Sequence, residues 1–235
     1  MTFEYVFSSR DLMDNKEMRQ VIIDAFNFRH ATKRFNPDKK VSDADFQTIL
    51  EAGRLSPSSI GSEPWRFVVV QNEEMREKLK EVAPGAQGQL ETASYFVIIL
   101  ARKNLKADSD YFRHMLKDIQ KVPEEKIEGM VKGFTSFQND NLNLYESERS
   151  LWDWASKQTY IALGNMMTAA ALLGVDSCPM EGLKMKEMTK LLNDEGIMNS
   201  DYFLPSVMVA FGYRAEDPKR GKTRQLQEDV VEWIM

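Results

Sequence analysis

Three apolar runs of strand length set the frame for this chain: WRFVVVQ (65–71), YFVIILA (95–101) and PSVMVAFGY (205–213). Each is rich in branched and aromatic residues, which suit a pleated, buried surface better than a helix. Each stops well short of the roughly 20 residues that a bilayer-crossing helix needs. GVDSC is a fourth, shorter strand candidate, with PMEG a turn after it. The third run lies far down the chain from the second, with helical patterns between them. The scheme is therefore a layered α+β protein and not a regular β-α-β alternation.

Those helical patterns are explicit. EMRQVIIDAFNF (17–28) spaces Met18, Ile22, Ala25 and Phe26 as one stripe. VSDADFQTILEAGRLSPSS reads as a second helix, with Ser42 as its cap, Asp45 at the capping-box position, Phe46, Ile49 and Leu50 as the buried stripe, and Pro57 beyond its end. EEMREKLKEVA and LKMKEMTKLLN are shorter amphipathic helices. LWDWASKQTYIALGNMMTAAALL (151–173) is the longest, and its Ala162, Gly164, Ala169 and Ala170 permit close approach of a second helix, from this chain or from a partner. Residues 1–10 are expected to form an arm or strand, and the polar segment 102–150 a helical excursion from the core.

A chain of 235 residues buries about 70% of its unfolded surface, enough for one core without disulfides or structural metal. A hydrophobic fraction of 43% excludes wholesale disorder, and a formal charge of -5 gives no broad electrostatic reason to expect nucleic acid. The single cysteine, Cys178, and the absence of a signal-peptide pattern fit a reducing cytoplasm, so a soluble cytoplasmic protein without membrane partners is expected.

Three stretches carry possible chemistry. RHATKRF (29–35) concentrates cations in an acidic chain, which suits either a solvated helix end or an anion. SPSSIGSEPW (56–65) is a proline-fixed loop of hydroxyls and backbone donors, either a plain connection or a polar ligand edge. Lys222 and Arg224, on an extended segment, would point the same way and close on one anion; otherwise they belong to a solvated basic tail. Glu181, after Cys178-Pro179-Met180, is a surface carboxylate or a site residue. With only His30 and His114, one cysteine, and no HExxH, GxSxG, P-loop or dinucleotide fingerprint, metal hydrolysis, phosphoryl transfer and triad chemistry lose their usual signals. An enzyme so equipped borrows its chemistry from a cofactor.

The order RHATKRF, SPSSIGSEPWRFVVV, GNMMTAAALLGVDSCPMEG and KTR, from about residue 20 to the C-terminus, resembles the nitroreductase family of FMN-dependent NAD(P)H oxidoreductases, closest to the oxygen-insensitive type. The resemblance implies one nitroreductase-like α+β domain over 1–235: three layers, a central mainly antiparallel sheet flanked by helices, and an interlocked homodimer with FMN at the interface. Arg29, Lys222 and Arg224 would hold the FMN phosphate, and Lys33 would face the pyrimidine edge. His30 and Ala31 would lie along the cofactor, and Pro57, Ser58, Ser59 and Gly61 would come from the partner. Pro179, Met180, Glu181 and Gly182 would pass beside the ring, with the Glu181 and Gly182 amides near N5 and O4. The sequence departs from the family pattern at Ala31 (usually serine), at Gly61 (usually asparagine) and at Glu63 (usually glutamine). Gln89 falls where the enteric type has a second ring-edge lysine.

The implied activity is ping-pong hydride transfer from NADH or NADPH to nitroaromatic, quinone or related acceptors. No side chain serves as catalytic nucleophile, no metal is needed, and Lys33, Glu181 and Gly182 tune the flavin. Aromatic residues between 111 and 154 belong either to the pocket wall or to the core. The alternatives are another reductive task on the same fold, such as enone reduction or dehalogenation, and a non-catalytic flavin-binding protein.

Overall fold

A computed structural model describes residues 14–235; the expected arm at 1–10 lies outside them. The sheet contains β1 (Trp65–Val69), β2 (Tyr95–Arg102), β3 (Asp176–Met180) and β4 (Phe203–Gly212), in the order β1-β2-β4-β3 with every pair antiparallel. β2 and β4 are the inner strands and are buried on both faces. That is why their sequences read as continuous apolar runs. Pro205, which a central strand would exclude, sits at a bulge: Ile99 faces Val207 and Leu100 faces Pro205, leaving Ser206 as the extra residue.

On one face lie α3 (Glu73–Val82), α4 (Gln87–Thr92) and α8 (Met185–Asp194), whose Met75, Leu79, Leu90, Met188 and Leu192 pack on Phe96, Ile98, Met208 and Ala210. On the other lie α2 (Asp43–Arg54) and α7 (Glu148–Leu172), whose Phe46, Ile49, Leu163 and Met166 pack on Val97, Ile99, Val209 and Phe211. The three layers and antiparallel sheet are those expected. Ser42 caps α2 as its sequence indicates, accepting from the Asp45 N–H at 3.1 Å and donating to its carboxylate at 2.8 Å. Between β2 and α7 run α5 (Asp110–His114) and α6 (Glu124–Ser136), each continued by a π-turn, Met115–Ile119 and Phe137–Asn141. Phe112 and Trp154 belong to the core of this region, so these two aromatics pack it and do not wall a pocket.

Three elements differ from expectation. The turn placed at PMEG begins later, because β3 runs through Pro179 to Met180. As an edge strand it pairs with β4 on one side and carries only the isolated Ala31–Ser177 bridge on the other, so proline is tolerated there. In α1 (Asn15–Phe28) only Ala25 is buried, while Met18, Ile22 and Phe26 are 43–45% exposed. In α7, Ala162 and Ala170 are buried as expected, but a side chain at Gly164 would meet nothing within 4 Å. Among the described residues no helix is long and apolar enough to cross a membrane.

Candidate cofactor site

The segment leaving α1 is fixed by one buried ion pair. Asp176, 2% exposed at the start of β3, accepts from Arg214 Nε at 2.8 Å, from its Nη2 at 2.6 Å and from its backbone N–H at 3.0 Å. Arg214 also donates to the Phe28 carbonyl at 2.9 Å and lies over the Phe28 ring. Thr32 donates to Asp176 at 3.4 Å, and Ala31 bridges to Ser177 in parallel register. Residues 28–32 are thereby laid along the edge of β3. Sequence reasoning missed both Asp176 and Arg214; the available signal was a carboxylate inside a strand-length run, where an unpaired charge is rarely tolerated.

This arrangement brings the cations together. Arg29, His30, Ala31 and Pro179 line a cleft of about 390 Å³ with Arg220, Lys222 and Arg224, and among the described residues no carboxylate shares it. Lys222 Nζ donates to the Phe26 carbonyl at 2.5 Å and to that of Arg29, at the negative end of α1. Burial, then the charges of Arg29 and Arg224, hold its amine below the ordinary lysine value. Among the described residues Arg29 Nη1 reaches only the sulfur of Met167, at 3.5 Å, and its buried Nε has no partner. His30 Nδ1 lies 3.2 Å from the Phe28 carbonyl and must be its donor, which leaves the buried Nε2, without a partner among the described residues, as an acceptor when the ring is neutral.

Lys33 lines the adjoining cleft and makes no ion pair among the described residues. Beside it, Gln89 is only 3% exposed: its amide donates to the Thr32 carbonyl at 3.5 Å and to the Cys178 sulfur at 3.3 Å. Burial raises the Cys178 thiol pKa, partly offset by Gln89 and by the Lys33 charge.

Past Met180, which is buried, the N–H groups of Glu181 and Gly182 have no acceptor among the described residues. The chain is held there by glycine against glycine: Gly85 donates to the Gly182 carbonyl at 2.9 Å, and a Cβ on Gly182 would lie 2.8 Å from the Gly85 Cα. The Glu181 carboxylate accepts from the Tyr160 hydroxyl at 2.6 Å, and burial followed by this contact pushes the Tyr160 pKa upward.

The loop carrying Pro57, Ser58, Ser59 and Gly61 stands apart from the cation cluster and lines neither cleft. Gln158 of α7 accepts from the Ser59 N–H at 2.8 Å, Ser58 accepts from the Glu63 N–H at 2.9 Å, and Ile60, Gly61 and Glu63 all have positive φ. A β-branched residue at φ 51 is a true outlier and marks a loop set by its surroundings.

Residues 27–213 match the model of the nitroreductase family. This chain belongs to the nitroreductase family. A Staphylococcus saprophyticus protein named "Putative NAD(P)H nitroreductase SSP0379" is 59% identical over 218 residues, covering 93% of this chain and 99% of that one. YfkO of Bacillus subtilis, named in the same way, is 58% identical over 220 residues, with 93% and 99% covered. Among solved structures, a nitroreductase-like protein of Streptococcus mutans matches with a TM-score of 0.76 at 20% identity, over 94% of this chain and 99% of that one. A protein of Exiguobacterium sibiricum solved in complex with FMN matches at 0.72 and 21%, over 91% and 97%. By family, this nitroreductase is a flavin-dependent oxidoreductase.

Proposed function

We propose that this nitroreductase binds FMN and catalyses ping-pong hydride transfer from NADH or NADPH to nitroaromatic, quinone or related acceptors. The observation that carries the reading is the cleft in which Arg29, Lys222 and Arg224 converge with no carboxylate among the described residues. Holding cations together without a counter-charge is unfavourable, and a bound phosphate reverses the sign.

The remaining groups fit the same cofactor. Two guanidinium forks and an ammonium hold a phosphate, and the bare Nε2 of His30 accepts from a hydroxyl such as a ribityl chain offers. Pro179 lines the cleft, and Glu181 follows two residues later, about 6.6 Å along an extended chain. Its N–H and that of Gly182 would donate to the ring edge, and the Lys33 ammonium would face the pyrimidine edge. Gln89 supports Lys33 indirectly, as a neutral brace between Thr32 and Cys178. When bound, FMN supplies two-electron chemistry, taking hydride from a nicotinamide and returning it to an acceptor. The protein's share is to fix distance and electrostatics at that ring.

Two chains are needed to complete such a site. The exposed apolar residues of α1 and the exposed Trp233 and Ile234 support a homodimer in which the 57–61 loop of one subunit covers the cofactor of the other. A cytoplasmic setting follows from chemistry that depends on reduced nicotinamides.

The test is release of FMN from heat-denatured purified protein, together with NADH and NADPH oxidation against a quinone, a nitroaromatic and an enone. Stoichiometric FMN with turnover of at least one acceptor supports the reading. Protein that neither carries nor takes up FMN ends it.

A further inference from the structure

We propose that a further cleft, between the start of α7 and the start of α8, binds a small carboxylate carried on one apolar ring. It encloses about 260 Å³, less than the roughly 300–1,000 Å³ of a cleft for a drug-sized molecule, so it takes a body of about one ring. It shares no lining residue with the clefts around Arg29 and Lys33, and its ligand does not depend on flavin. The apolar wall is Met185, Leu204 and the indole of Trp152. Trp152 is only 8% exposed, and its buried Nε1–H has no acceptor among the described residues. An indole nitrogen can only donate, and burying it unpaired is costly. An acceptor on a ligand in the cleft removes a penalty that the free protein carries.

The polar groups at the rim select an anion. Lys103, just past β2, makes no ion pair among the described residues, and its Nζ is held in place by donating to the Ser200 carbonyl at 3.0 Å. An ammonium has further donors to offer beyond that one. Asn104 beside it has a φ of +48, which asparagine tolerates, and its carboxamide has no partner among the described residues. Arg149 lies over the Trp152 ring, 5.2 Å from its centroid, tied to Asp153 by an exposed pair at 2.7 Å. Such a pair contributes little, so the guanidinium can swing from the indole toward a ligand carboxylate. Glu148 is the one carboxylate of the lining. Two cations, Lys103 and Arg149, against that single anion leave the cleft a formal charge of +1, the complement of one carboxylate.

Fluorine NMR of para-fluorobenzoate with the purified full-length protein tests this. The probe should bind with a Kd of about 1 mM or tighter, and para-fluorotoluene, which lacks the carboxylate, at least about tenfold more weakly. Trp152→Phe keeps an aromatic ring and removes the donor, and Lys103→Met removes the charge. Each should weaken binding about tenfold, the worth of one hydrogen bond to a charged group. Glu148→Gln should tighten it about twofold to threefold by removing the opposed charge, a gain that a merely structural role would not produce. Lys222→Ala, in the other cleft, should leave the affinity for this probe as it is. Thermal melting identifies any variant that fails to fold, and Lys103→Met carries the test should Trp152→Phe do so. Absence of binding, equal binding of para-fluorotoluene, affinity unchanged by Trp152→Phe, Lys103→Met or Glu148→Gln, or loss of binding in Lys222→Ala each overturns the proposal.

Discussion

Asp176 and Arg214, 38 positions apart, form the ion pair that lays residues 28–32 along the sheet edge. Removing one partner of a buried pair leaves the other uncompensated and typically costs about 3–5 kcal/mol. Asp176→Asn should lower the urea midpoint accordingly and release FMN, because Arg29 and His30 lose their support. Stability and FMN retention like wild type would show that the segment is held by something else.

Lys222 gives the site a pH signature. Its amine is held below the ordinary value of 10.5 in the free protein, and a bound phosphate raises it again, so binding takes up a proton in alkaline solution. Affinity should be full below the lowered pKa and fall as pH rises through it. For the free protein the sign is opposite: the unfolded chain binds the extra proton, so this group makes stability rise with pH between the lowered value and the ordinary one. Lys222→Ala should flatten the alkaline limb of an FMN titration and weaken binding at neutral pH by at least about tenfold. A limb that survives the substitution assigns the proton elsewhere.

Two glycine-to-alanine changes should act in opposite directions. At Gly182 the new methyl meets the Gly85 backbone at 2.8 Å, so the Glu181–Gly182 amides must move, at a cost of about 1–3 kcal/mol and with loss of cofactor affinity. At Gly129, inside α6, nothing lies within 4 Å, and alanine should stabilise by about 1 kcal/mol through helix propensity. Chemical denaturation of both variants measures the contrast; equal effects would contradict the packing described.

The Tyr160 phenol should resist ionisation. Burial and its bond to Glu181 raise its pKa, so in a difference-absorbance titration it should appear after an ordinary tyrosine, and Glu181→Gln should bring it down. A titration that ignores Glu181→Gln would mean that the 2.6 Å contact does not persist in solution.

Most of the scaffold could be read in the sequence, because its signals are local. The buried runs of β2 and β4, the Ser42 cap and the buried Ala162 and Ala170 of α7 each act within a few positions. Features that depend on tertiary neighbours were hidden. Pro179 reads as a turn until β3 is known to be an edge, and nothing local in the sequence announces the contact of the Gln89 amide with Cys178. The Asp176–Arg214 pair has no local signature beyond one charge in a strand. Met18, Ile22 and Phe26 form an apolar stripe by periodicity, yet all three are exposed, because periodicity marks a stripe without saying what covers it.

The most direct test of the whole account is anaerobic stopped-flow absorbance of the FMN-loaded protein mixed with NADH or NADPH, followed by an acceptor. The flavin band should bleach rapidly with at least one nucleotide and return when a quinone or nitroaromatic is added. Bound flavin that neither nucleotide bleaches would contradict it and leave a protein that holds FMN without using it.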